Sequence, residues 1–232
     1  MSPLRDHAHV PRLERIYSWW GSHPAAYRAA CQVVFLGRER AIRGRAVERL
    51  GLSAGDSVLD LACGTGVNFD LLQQRIGTSG RLIGLDASAE MLGAARERVE
   101  RFGWRNVDLR EGDAARAELD GNTLDGALCT LGLSVIPDYE AAVAAVERAL
   151  KPGARFVVLD AQPFSGAARP LNVLVKPGFE WTTGWRWERD LPAALDAAFG
   201  SADVAQLHSG SLFIASATKV PGGQLGPDPS ST

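Results

Sequence analysis

Between residues 57 and 161 the chain alternates short apolar runs with stretches of helical period, and this alternation limits the folds open to it more than any other feature. SVLDLA (57–62), RLIGLD (81–86), VDLREGD (107–113), LDGALCTL (124–131) and ARFVVLDA (154–161) read as strands. Most are apolar throughout rather than alternating, as parallel strands covered on both faces are. Met91, Leu92, Ala95, Val99 and Phe102 share a helical face behind Ser88 as N-cap, and Tyr139, Ala142, Val143, Val146, Ala149 and Leu150 do so behind Asp138. Helices set between apolar strands require right-handed crossovers. The fold class is therefore α/β with a doubly wound sheet, its ligand crevice beyond the carboxyl ends of the strands.

The flanks are less regular. Residues 10–50 look helical, with Leu13, Ile16, Tyr17 and Trp20 in one apolar group and Ile42, Ala46, Val47 and Leu50 in another. LKPGARF (150–156) supplies a Pro-Gly stop before the fifth strand. Residues 162–185 show no clean period, 187–199 suggest a helix broken by Pro192, and 203–219 suggest a hairpin turning near Ser209-Gly210. The expected organisation is a helical lid over 1–50, one α/β domain over 51–219 and a disordered tail over 220–232. A chain of 232 residues can bury one full core.

Charge and cysteines narrow the setting. A net charge of -2 gives no overall pull toward nucleic acid, and no run of 18 apolar residues is present to cross a bilayer. Cys31, Cys63 and Cys129 are odd in number and form no C-x-x-C, so buried free thiols are expected rather than disulfides or a zinc site. The first residues lack a secretory pattern, which points to the cytoplasm.

The first strand runs into Gly64-Thr65-Gly66 and then a helical pattern. Bare backbone at such a turn admits a ligand that a Cβ would block. Val67, Asn68 and Phe69 follow, so the third glycine of a dinucleotide fingerprint is missing, and no G-x-x-x-x-G-K-[ST] occurs. Asp60 stands four residues ahead of the first glycine.

DLACGTG (60–66) closely resembles the first motif of class I S-adenosylmethionine-dependent methyltransferases, and the resemblance continues in order to residue 161. It implies a Rossmann-like seven-stranded sheet, mostly parallel with a C-terminal antiparallel hairpin. Asp60, Ala62, Cys63, Gly64 and Gly66 would hold the methionine end of S-adenosylmethionine. Asp86 with Ala87 would grip the ribose, since a carboxylate offers a diol two acceptors and no donor. Met91 would pack on adenine, Gly112-Asp113-Ala114 would surround its amino group, and Thr130-Leu131 would complete the site. S-adenosylhomocysteine would be the product, and no metal is needed.

The segment around Tyr17, Trp20 and Tyr27 is similar to the lid of a subgroup comprising the ubiquinone/menaquinone-biosynthesis methyltransferases and bacterial phosphatidylethanolamine N-methyltransferases. By that resemblance Tyr17 and Tyr27 close over the cofactor and Trp20 borders the acceptor. WTTGWRW (181–187) falls where the family builds acceptor loops, which makes Trp181 and Trp185 candidate substrate contacts. Of four histidines, His7, His9 and His208 lie in surface-like contexts, and His23 is the candidate base. Five arginines stand between residues 38 and 49, an excess that suits either a solvated helix face or an anionic membrane surface. The Arg-Asn pair that quinone enzymes carry after their fourth strand is replaced by LGLSVIPD, which argues against quinone C-methylation.

The expected function is methyl transfer to a small apolar or amphiphilic acceptor, at nitrogen or oxygen in preference to carbon. The alternatives are a phospholipid N-methyltransferase at the membrane surface and a non-methylating S-adenosylmethionine-binding protein. The sequence is silent on oligomeric state.

Overall fold

The computed structural model describes residues 10–221; His7, His9 and the end of the expected disordered tail lie outside the described residues. Three helices come first: α1 (Val10–Ser22), α2 (Pro24–Val34) and α3 (Glu39–Leu50). Then β1 (Ser57–Leu61), α4 (Phe69–Ile76), β2 (Arg81–Asp86), α5 (Ala89–Phe102), β3 (Val107–Glu111), β4 (Leu124–Thr130), α6 (Tyr139–Ala149) and β5 (Leu150–Ala161) alternate. A 3-10 turn (Gly166–Leu171), α7 (Asn172–Thr183), α8 (Leu191–Phe199) and the hairpin β6 (Ala202–Leu207) and β7 (Leu212–Thr218) complete the chain.

The seven strands lie in the order β3-β2-β1-β4-β5-β7-β6. β1 to β5 pair in parallel, and β7 runs antiparallel between β5 and β6. Successive residues of each apolar run point to opposite faces. Val58, Leu82, Leu128 and Val157 pack under α3, α4 and α5, while Leu59, Ile83, Ala127 and Phe156 pack under α6 and α8. Both layers are dry, which is why the runs carry no polar alternation. Ser88 caps α5 by accepting from the Met91 amide, and Asp138 caps α6 by accepting from Ala141.

Three expectations need correction. Pro192 starts α8 rather than breaking it, because a proline in the first turn lacks an amide that would have no partner there, and Asp190 caps the same turn by accepting from the Ala193 amide. The Pro-Gly step at 152–153 does not precede β5 but lies inside it, at an irregularity where the register with β4 shifts between Leu124 and Gly126. Residues 172–183, which show no period, form α7 with Pro177 inside; none of its residues is buried, so there is no apolar stripe to detect.

The helical segment ahead of the sheet roofs the carboxyl ends of the strands. α1 crosses α5 at Gly21, where a Cβ would come within 2.7 Å of Glu90 Cβ and the Met91 amide nitrogen. Three α1 side chains hold the last turn of α7. Arg12 donates to the Glu180 and Trp181 carbonyls (3.3 and 3.2 Å), Trp20 to Thr182 (3.0 Å) and Tyr17 to Thr183 (3.1 Å). Glu180 also accepts from the Gly184 amide (3.1 Å), whereas the Trp181, Thr182 and Thr183 carbonyls lie in the final turn beyond the reach of helical donors, so the lid supplies what solvent otherwise would.

Candidate active site

Register places Leu61 beside Leu85 and Cys129, and Asp86 beside Glu111, so β1, β2, β3 and β4 end along one rim. β1 lies between β2 and β4, at the point where the winding reverses, and a cavity of about 950 Å³ opens above it. Its floor is Ala62, Gly64, Thr130 and Leu131, one wall is Asp86 to Met91 with Gly112 to Ala114, and the roof is Leu13, Tyr17 and Trp19 with Tyr27.

The turn after β1 is left-handed at Ala62 (φ 52°), Gly64 (φ 55°) and Gly66 (φ 70°). A Cβ on Gly66 would meet the Phe69 ring at 2.7 Å. Leu131, after β4, is left-handed too (φ 55°). Two non-glycine residues in this conformation, facing one another across adjacent strand ends, mark strain of the kind that concentrates at ligand sites. Gly132 lets the two loops touch, since a Cβ there would stand 2.5 Å from that of Ala62.

Asp86 accepts from the Gly64 amide (2.7 Å) through one carboxylate oxygen and from the Ser88 amide (3.0 Å) through the other. Burial raises its pKa, and the two amides work in the opposite direction. The carboxylate thus fixes the glycine turn and retains acceptor capacity toward the cavity. Tyr17 and Tyr27 line the same space; burial pushes both phenols above their ordinary range, so they act as donors and not as bases. The three thiols are free, buried and raised by burial, which keeps them protonated.

Under the floor lies a polar network that the sequence did not reveal. Asp60 is fully buried and does not face the cavity; it accepts from Asn68 Nδ2 at 3.0 and 3.1 Å. Asn68 Nδ2 also donates to Thr130 Oγ1 (3.0 Å). Arg43, only 2 % exposed, closes the cluster: Nη1 donates to Asn68 Oδ1 (3.0 Å) and Thr130 Oγ1 (2.5 Å), and Nε to Glu39 (2.9 Å). Its Nη2 is the only buried side-chain nitrogen or oxygen among the described residues with no hydrogen-bond partner. Burial lifts the Asp60 carboxyl to about 7, against the Asn68 bonds and the Arg43 charge.

Other residues fall elsewhere. Cys63 and Gly66 shape the turn from beneath, whereas Ala62, Gly64, Asp86, Ala87, Met91, Gly112, Asp113, Ala114, Thr130 and Leu131 all border the cavity. Trp20 does not; it faces α7, and its neighbour Trp19 borders the cavity instead. Trp181 projects into solvent, and Trp185 is buried, donating to the Ala161 carbonyl (3.3 Å) and packing edge-on against Phe179. Neither reaches the cavity, because α7 turns Trp181 outward and the chain after Gly184 folds Trp185 inward. His23 sits at the cavity mouth, stacked on Trp19, with Nδ1 2.8 Å from the Trp19 carbonyl. A carbonyl can only accept, so Nδ1 carries the proton and Nε2 is the basic nitrogen.

The far wall is apolar: Val135, Ile136 and Pro137 face Leu13. It is held from outside, where Arg189 donates to the Ser134, Ile136 and Pro137 carbonyls and Asp160 accepts from the Ser134 amide (3.0 Å) and hydroxyl (2.8 Å). Among the described residues no cluster of histidine, cysteine and carboxylate groups could hold a metal ion.

The pattern that defines the ubiE/COQ5 methyltransferase family matches residues 13–172, which takes in most of the lid, the glycine turn and the Asp86 wall. The chain belongs to that family. Two curated relatives are demethylmenaquinone methyltransferases. One, from Lactiplantibacillus plantarum, is 35% identical over 64% of this chain and 61% of its own length. The other, from Shouchella clausii, is 32% identical over 63% of each. The chain thus spans under two thirds of the length of these relatives. A solved S-adenosylmethionine-dependent methyltransferase from Aquifex aeolicus superposes with a TM-score of 0.60 over 77% of this chain and 89% of its own, at 21% identity, and shares the fold. S-adenosylmethionine is the cofactor that goes with the family, and the residues on this rim fit it: bare peptide at Gly64, a carboxylate with spare lone pairs at Asp86, and an apolar slot beside Met91.

Proposed function

We propose that this chain transfers a methyl group from S-adenosylmethionine to a small apolar acceptor held against the Val135–Pro137 wall. The observation that carries the reading is the division of one cavity into a polar half, around Gly64 and Asp86, and an apolar half. The cofactor supplies an electrophilic methyl on a sulfonium, so the protein's task is to hold donor and acceptor in line and dry. In this reading Asp86 binds the ribose hydroxyls, Gly112 to Ala114 surround the adenine, Tyr17 and Tyr27 close over the site, and His23 Nε2 takes a proton at the mouth.

Among the described residues Arg15 is the only arginine or lysine bordering the cavity, against Glu14, Asp86, Glu90, Glu111 and Asp113. An anionic head group finds little to bind there, so the phospholipid alternative is weakened. The names of the relatives make a quinol ring the first acceptor to try, with carbon as the methylated atom. This sets aside the preference for nitrogen or oxygen drawn from LGLSVIPD, because the Val135–Pro137 part of that segment serves here as an apolar wall.

The test is incubation with methyl-labelled donor and, in separate reactions, a short-chain demethylated naphthoquinol, a phenol and a primary amine, followed by mass spectrometry of products. Labelled C-methyl naphthoquinol with stoichiometric S-adenosylhomocysteine is expected. Donor binding without product from any acceptor would leave a non-methylating binder as the better reading.

A further inference from the structure

α7 is a helix turned inside out. It has no buried residue, and Val173, Leu174 and Trp181 are 78, 78 and 74% exposed. Helical spacing sets Val173, Pro177 and Trp181 in one row and Leu174 with Gly178 in the next, a single side without a charged group. Glu180 lies at the edge of that side, beside Val173 and Pro177 by helical spacing, and Lys176 lies off it, resting over the Trp187 ring 3.4 Å from its centroid. Exposed Leu171 extends the surface on the preceding turn. A contiguous, uncharged, outward helix face marks a contact surface.

We propose that this face rests on a lipid bilayer, with Val173, Leu174 and Trp181 seated at the boundary of head groups and acyl chains. Three observations favour lipid over protein. Apart from the Trp181 indole N–H, the surface offers no hydrogen-bonding side chain to specify a partner, and tryptophan with aliphatic neighbours suits the interfacial zone. Cations border it, with Arg169 exposed on the preceding turn, Lys176 beside it and Arg12 on its last carbonyls, against Glu180 alone. Four protruding side chains also fall far short of the roughly 20–30 residues a side that a stable protein interface uses. By contrast three of the four arginines of α3 are engaged within the protein: Arg43 is buried, and Arg40 and Arg49 pair at the surface with Asp70 and Asp203.

The placement matters because α1 is bonded to the last turn of α7 through Arg12, Tyr17 and Trp20. A membrane under α7 meets the edge of the lid, so an apolar acceptor passes from lipid to cavity without entering water. That route rests on the apolar-acceptor reading; the docking itself does not.

The test is sedimentation of the full chain with vesicles of phosphatidylcholine, with and without added phosphatidylglycerol. The wild type is expected to pellet, with Trp181 fluorescence shifting to the blue and the shift absent in Trp181→Phe. Val173→Glu and Leu174→Glu should each lower the bound fraction about tenfold or more, with thermal unfolding and S-adenosylhomocysteine titration unchanged, while Arg45→Gln pellets like the wild type. A wild type that stays in the supernatant with both vesicles, or glutamate variants that pellet as it does, would overturn the proposal. So would a concentration-dependent dimer that Leu174→Glu dissolves, which assigns the face to a second copy. Vesicle binding without methyl transfer to any apolar acceptor upholds the docking and removes the acceptor reading; transfer without vesicle binding does the reverse.

Discussion

Arg43 shows how a residue's chemistry depends on where the fold sends it. In sequence it is one of five arginines in twelve residues, and such a run reads as a solvated or lipid-facing helix side. In the structure it is dry, and it joins Glu39 to the Asn68–Thr130 pair beneath the glycine turn. Arg43→Met removes the donor to three buried or half-buried acceptors at once, which should cost about 3–5 kcal/mol in chemical denaturation. Arg43→Lys should recover only part of this, because one ammonium cannot reproduce a planar fork that spans Glu39 and Thr130. A loss below about 1 kcal/mol for the methionine variant would show that the network contributes little. The motif residues on the cavity were legible because DLACGTG and the segments that follow it resemble the family's motifs in order, and at Gly64 and Gly66 the left-handed backbone gives the residue its reason. Trp181 and Trp185 were not, because an aromatic's sequence position does not say which way it faces.

At the scale of elements, the lid depends on one close approach. Gly21 brings α1 against α5 so tightly that a methyl group would strike backbone, which a flexible neighbour cannot absorb. Gly21→Ala should therefore lift the lid from the Asp86–Met91 wall and weaken cofactor binding about tenfold, since small misplacements are amplified at such sites; titration with S-adenosylhomocysteine measures it, and unchanged affinity would mean that the lid does not press on the cofactor. The same scale shows where sequence patterns suffice. β1, β2, β4 and most of β5 were readable because burial on both faces leaves them uninterrupted. α7 was not, because its apolar residues face out and Pro177 interrupts it. Pro192 was misread because proline at a helix start and proline within a helix look alike until the cap, here Asp190, is placed.

Over the whole molecule, two buried acids make stability depend on pH in an unusual direction. Burial lifts Asp60 to about 7 and Asp160 to about 6. Both titrate near 3.9 in an unfolded chain. Between about pH 4 and 7 the folded state holds protons that the unfolded chain has released. The stability they contribute is complete below about pH 4, declines as pH rises through 6 and 7, and changes no further above. Asp60→Asn should accordingly gain on the wild type in thermal midpoint from pH 5 to 8, by roughly 2–4 °C per kcal/mol; parallel pH profiles would contradict this. The arrangement joins the scales: strain at Ala62 and Leu131, a floor braced by Arg43 and a roof tied to α7 all converge on one cavity. The claim that this cavity is built for S-adenosylmethionine is tested most directly by calorimetric titration of the wild type and Asp86→Asn with S-adenosylhomocysteine. The account predicts one site per chain in the wild type and a loss of roughly 1–3 kcal/mol, about fivefold to 150-fold, in the variant. Equal affinities, or a wild type that binds a nicotinamide dinucleotide and not the homocysteine nucleoside, would contradict it.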